Sequence, residues 1–79
     1  MKIMVMLFAG AREKLGTGRL EQELPEGATL QALIDTLYRT YPELESVHAK
    51  FAVNAAYAQA ETVLRHGDQV ACIPPVGGG

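Results

Sequence analysis

The chain has 79 residues, 48% of them apolar and 20% charged, with a net charge of −2. That is enough for one domain and too apolar for a disordered tail, although a chain this short buries only roughly 60% of its unfolded surface. The seven Lys and Arg residues are scattered, only Arg65 and His66 falling together. With no basic cluster to displace phosphate counterions, nucleic acid is excluded as the main partner.

Residues 3–8 read as the first strand, apolar on both faces: Ile3, Val5 and Leu7 on one, Met4, Met6 and Phe8 on the other. Two arrangements give this pattern, a central strand covered on both sides or a strand with one core face and one partner-binding face. The same stretch before Ala9-Gly10-Ala11 has the outline of a signal peptide, but its apolar run is shorter than the usual run of roughly 7–15 residues. The strand reading is preferred. No stretch approaches the ~20 apolar residues of a bilayer span, so a membrane is not expected as a partner.

Residues 10–18 read as a loop with room for a helical turn at 11–15, ended by Gly16-Thr17-Gly18. Residues 20–24 alternate apolar and polar, as in a half-buried strand, and Pro25-Glu26-Gly27 makes a turn. The strongest helix signal follows. Thr29 is an N-cap candidate, and Leu30, Leu33, Ile34, Leu37, Tyr38 and Tyr41 recur at helical spacing until Pro42 stops the run. This predicts a helix of ~18 Å with one apolar stripe, which needs a sheet to cover it.

Residues 51–53 form a short strand, and Asn54-Ala55-Ala56 is a turn candidate because Asn tolerates the left-handed conformation. Residues 57–64 carry no clear pattern. His66-Gly67-Asp68 is a second turn, residues 69–73 are the closing strand, and Pro74-Pro75 ends ladder pairing. The order implies an α+β domain over 1–73, one helix packed across a mixed sheet, followed by an extended tail over 74–79. If the last strand pairs beside the first, the helix lies within the crossover that joins them.

The usual catalytic sets are missing. Gly10 and Gly16 lack the Gly-Lys-Ser/Thr ending of a phosphate loop, and no serine sits in a Gly-x-Ser-x-Gly turn. Ser46 near His48 reads as solvated loop, and His48 and His66 have no paired ligand spacing. Neither a metal nor a bound cofactor is expected. Cys72 is the single cysteine, so no internal disulfide can form, and its place in a strand suits a small buried thiol in a reducing cytoplasm.

What remains is the end of the chain, Pro74-Pro75-Val76-Gly77-Gly78-Gly79. Six residues extend ~20 Å, far enough to enter another protein's active site. A thread without Cβ atoms passes a narrow channel, and its last carbonyl is open to attack from either side. An ionised chain-end carboxylate, with a pKa of about 3.3–3.7, is a poor electrophile. It needs activation, most simply as an acyl-adenylate made by an ATP-using partner, from which a sulfur nucleophile displaces AMP to leave a thiocarboxylate. By itself a glycine run also describes a floppy end or an added scar.

Context changes its weight. Phe8-Ala-Gly-Ala-Arg12-Glu13, Val53-Asn54, Gly67-Asp68-Gln69-Val70-Ala71 and the Pro-Pro-Val-Gly-Gly-Gly ending together resemble the molybdopterin synthase small subunit family, in order and over essentially the whole chain. The resemblance implies the ubiquitin-like β-grasp fold. It also implies a cycle in which an adenylating enzyme similar to ubiquitin-activating enzymes joins AMP to Gly79 and a sulfur-donating enzyme supplies the sulfur. The tail (Pro74, Pro75, Val76, Gly77, Gly78) then enters the synthase large subunit and gives sulfur to cyclic pyranopterin monophosphate, usually within a heterotetramer. Phe8, Tyr57 and Ile73 match the family's apolar docking patch, and Arg12 matches a position near the activating enzyme. Cys72 and Gly77 depart from the usual pattern, and the triple-glycine end also occurs in thiamine-type sulfur carriers.

The residues leave three classes of function open: a sulfur carrier, a ubiquitin-like modifier whose activated Gly79 is attacked by a lysine, and a passive interaction module.

Overall fold

In the computed structural model, which describes residues 1–75, the chain runs β1 (Lys2–Leu7), α1 (Ala9–Leu15), β2 (Arg19–Glu23), α2 (Leu30–Thr40), a 3₁₀ helix (Pro42–Val47), β3 (Lys50–Val53), β4 (Ala56–Tyr57) and β5 (Gln69–Ile73). The strands form one sheet in the order β2-β1-β5-β3-β4. β1 and β5 are parallel, pairing Val5 with Val70 and Leu7 with Cys72, and the remaining pairs are antiparallel. The last strand therefore does lie beside the first, with α2 in the crossover between them. This is the helix-on-mixed-sheet arrangement expected from the sequence.

α2 starts where the sequence places it. The Thr29 hydroxyl accepts the Ala32 N–H at 3.2 Å, satisfying one of the donors that a helix start leaves free. Its stripe of Leu30, Leu33 and Leu37 is buried against Ile3, Val5, Leu7, Val70 and Cys72, with Phe51, Leu44 and Leu64 closing the core. Ile34, Tyr38 and Tyr41 pack at its margin, and Tyr38 meets Phe51 edge to face. The helix covers one face of the sheet only. Of the two arrangements open for β1, the structure has the one with a single core face.

Several details differ from the sequence reading. α1 begins at Ala9, two residues earlier than the turn expected at 11–15, because the Phe8 carbonyl accepts N–H bonds from both Ala11 and Arg12. Ala9 takes a positive φ of 46° to make this start. Gly16 closes the helix, as expected, and does so in the left-handed conformation. Pro42 stops α2 and then opens the 3₁₀ helix, being free of the N–H that a first helical position leaves unused.

β4 and the segment after it were not foreseen. Asn54 and Ala55, with φ of 49° and 70°, form a two-residue hairpin loop between the paired residues Val53 and Ala56, the geometry of a type I′ turn. Beyond β4 the chain crosses to the start of α2, where the carbonyls of Ala60 and Thr62 accept the Gln31 and Leu30 N–H groups. The unreadable stretch is thus a cap for the main helix. Among the described residues no helix is long and apolar enough to cross a membrane.

Candidate functional site

Among the described residues nothing covers the sheet face opposite α2, and its side chains follow from strand alternation. One row runs across all five strands: Arg19, Met6, Ala71, Ala52 and Tyr57, each paired with the next. Arg19 at the β2 side continues into a charged region with Glu21, Glu23 and Lys2. Lys2 and Glu21 form an ion pair at 3.6 Å, the sole one among the described residues. The β1-to-β4 side is apolar instead, and here Met6, Phe8, Ala52, Ala71, Tyr57 and Ile73 line an open groove of about 610 Å³.

Three of the four partner residues expected from the sequence meet in this groove. Phe8 follows β1 and is 45% exposed, Tyr57 on β4 is 71% exposed, and Ile73 at the end of β5 is half-buried. None of the three belongs to the core cluster. An apolar patch with aromatic members outside the core is the composition of a protein-binding surface. Arg12 does not join them. It lies on α1 with its guanidinium against the loop to β2, where a methyl group on Gly18 would stand 3.4 Å from its Cζ.

The groove meets the start of the tail. A second depression, lined by His48, Lys50, Tyr57, Ile73, Pro74 and Pro75, shares Tyr57 and Ile73 with it. Pro74 is buried and Pro75 exposed, so the chain leaves the domain at the edge of the apolar face. Val76, Gly77, Gly78 and Gly79 lie outside the described residues.

Other candidate groups are occupied. The Ser46 hydroxyl donates to the Glu43 carbonyl at 2.9 Å, and His66 Nδ1 accepts the Lys2 N–H at 3.0 Å. Burial pushes the Cys72 thiol up to about 11, so it stays protonated and unreactive at neutral pH. Among the described residues no group of three His, Cys, Asp or Glu side chains is placed to hold a metal ion.

The sequence reading missed the groove's floor and far rim: Ala52, Ala71, Asn54, Ala55 and Gln69. Alternation put Met6 on the same face as Phe8. Nothing in sequence alone, however, says that residue 52 stands beside residue 71.

Comparison with known proteins gives a consistent picture. Residues 5–79 match the ThiS family. A relative from Arabidopsis thaliana named molybdopterin synthase sulfur carrier subunit is 39% identical over 80 residues, covering 99% of this chain and 83% of its own. One of the same name from Mycobacterium tuberculosis is 40% identical over 81 residues, covering 99% and 98%. Among solved structures, SAMP1 (small archaeal modifier protein 1) from Haloferax volcanii superposes with a TM-score of 0.89 over the whole of both chains at 28% identity. The complex of subunits 1 and 2 of the molybdopterin-converting factor from Helicobacter pylori holds a chain with the same fold, at a TM-score of 0.73 and 22% identity over the whole of both chains. The β-grasp fold is thereby established.

Proposed function

The chain belongs to the ThiS family, and on that premise we propose that it is the sulfur carrier subunit of a molybdopterin synthase, working in the cytoplasm. The observation that carries the reading is the junction of an uncovered apolar face with the exit of the tail at Pro74 and Pro75. A carrier needs both, a body that docks and a thread that reaches. The full-length relatives named as molybdopterin synthase sulfur carrier subunits support the molybdenum pathway over the thiamine-type alternative.

In this reading the folded body does no chemistry. An adenylating enzyme spends ATP to join AMP to the Gly79 carboxylate, releasing pyrophosphate. A sulfur-donating enzyme then displaces AMP and leaves the thiocarboxylate. Docked through Phe8, Tyr57 and Ile73, the chain feeds Val76, Gly77, Gly78 and Gly79 into the large subunit, which takes the sulfur for cyclic pyranopterin monophosphate. Two carriers and two large subunits make the heterotetramer. Arg12, which has no carboxylate partner among the described residues, is assigned to the contact with the adenylating enzyme, where a guanidinium suits a carboxylate.

The likeness to SAMP1 favours one second reading, a protein modifier that uses the same activated Gly79. Intact mass separates the two. A carrier acquires one sulfur in place of one oxygen at Gly79, whereas a modifier forms isopeptide adducts on lysines. The decisive assay mixes thiocarboxylated protein with the large subunit and cyclic pyranopterin monophosphate. Dithiolene product supports the carrier, and its absence under conditions where isopeptide adducts form supports the modifier.

A further inference from the structure

The row Met6–Ala71–Ala52–Tyr57 has large side chains at its ends and two methyl groups between them. Three strand spacings separate Met6 from Tyr57, about 14 Å, and the middle of that span is a trough. Ile73 and Phe8 wall it on the tail side, and Asn54 and Gln69 on the other. Ala52 and Ala71 are only 5% and 9% exposed, being flanked in their row by the larger Met6 and Tyr57, and among the described residues no element covers this face. Neither belongs to the core cluster.

The stability of the isolated domain does not explain two alanines here. Alanine is depleted in strands, and valine or isoleucine would bury more apolar surface with open space above them. The small size therefore points outward, to something that fills the trough in a complex. We infer that Ala52 and Ala71 are the floor of a seat for one large apolar side chain, such as leucine, methionine or phenylalanine, presented by the synthase large subunit. The small size of that floor makes the two alanines specificity-determining residues for this partner.

This rests on the carrier reading above, and tail length limits the occupant to a protein that receives Gly79. Of the two in that reading, the adenylating enzyme is assigned the Arg12 side, which lies outside the groove, and the large subunit is left the seat. Four residues, spanning at most ~14 Å, lead from Pro75 to Gly79. A protein whose active site holds Gly79 must therefore press against the surface around Pro74 and Pro75, which shares Tyr57 and Ile73 with the seat. The lining sets the chemistry of the occupant. The Phe8 and Ile73 wall is apolar. On the far wall the Asn54 amide is already used, its Nδ2 donating to Asp68 Oδ1 and its Oδ1 accepting the Gln69 N–H, each at 3.0 Å, which leaves the uncharged Gln69 side chain as the other polar group there. A charged side chain would find no counter-charge there.

The test measures binding of the large subunit to the full chain carrying Ala71→Leu or Ala52→Val, alongside melting temperatures and sedimentation of the carrier alone. Filling the seat is expected to weaken binding at least about tenfold, as hot-spot clashes do, with melting temperature unchanged or raised. Wild-type affinity in both variants would overturn the seat and leave the carrier reading standing. Failure of the wild-type chain to bind would remove both. Collapse of melting temperature in both variants would make the alanines packing residues and sink the inference. A wild-type dimer in solution that Ala71→Leu dissolves would assign the seat to a second copy instead.

Discussion

Cys72 shows how one buried group ties the fold to pH. Its thiol is completely enclosed beneath α2, and loss of solvation raises its pKa from 9.0 to about 11. The folded state thus favours the protonated form. That stabilisation is full below pH 9 and is lost as the pH climbs towards 11, on the order of 2 kcal/mol. Melting curves between pH 8 and 11 should fall, and Cys72→Val should flatten most of the fall. Tyr38, whose pKa burial also raises, with Cys72 and Glu45 adding to the effect, leaves the remainder. A thiol reagent should label Cys72 only as fast as the protein unfolds. Ala55 is a second residue with a measurable cost. It holds a φ of 70°, which disfavours any residue with a Cβ. Ala55→Gly should stabilise the domain by up to about 1 kcal/mol in chemical denaturation, less whatever the freer glycine loses in the unfolded chain. A loss instead would mean that the Ala55 methyl group is packed.

Among the elements, α2 depends on a cap assembled from distant parts. The Thr29 side chain takes the Ala32 N–H, while Ala60 and Thr62 take two more donors from across the chain. Thr29→Ala should cost about 1 kcal/mol by denaturant titration without altering the slope. The hairpin of β3 and β4 is held to the loop before β5 by its own network. The Asn54 side chain bonds Asp68 and the Gln69 backbone, and Asp68 also accepts the Arg65 N–H at 2.8 Å. This lock sets the β4 edge that carries Tyr57. The turn itself was expected at Asn54-Ala55-Ala56, but the strand after it was not, because the usual signal for a two-residue hairpin is Asn followed by Gly, and here alanine occupies the second place. With only two residues, Ala56–Tyr57, the strand is also too short to show a periodicity of its own.

For the whole molecule, separation of labour is the organising fact: one sheet face makes the core and the other is left open beside the tail. Phe8→Arg should therefore weaken large-subunit binding at least about tenfold while leaving the melting temperature nearly unchanged, because Phe8 lies outside the core cluster. Unfolding would place Phe8 in the core after all. Removing Gly79 should abolish thiocarboxylation, read by intact mass, again with little change in melting temperature.

The first strand, the main helix and its cap, the closing strand and the stop at Pro74-Pro75 were all legible in the sequence. Each is fixed by local rules, periodicity over a long enough window or the backbone limits of proline. Phe8, Tyr57 and Ile73 were singled out instead by the family resemblance, and the structure brings the three to one groove. Which face of β1 meets the core could not be read, because Ile3-Met4-Val5-Met6-Leu7 is apolar at every position. Only α2 lying on one side of the sheet decided it. Likewise Ala52 and Ala71 are unremarkable residues 19 positions apart, and they become a floor only through the pairing of β3 with β5. Local chemistry determines where elements begin and end. What stands beside what is a property of long-range pairing, whose energy is shared among residues that no short window contains.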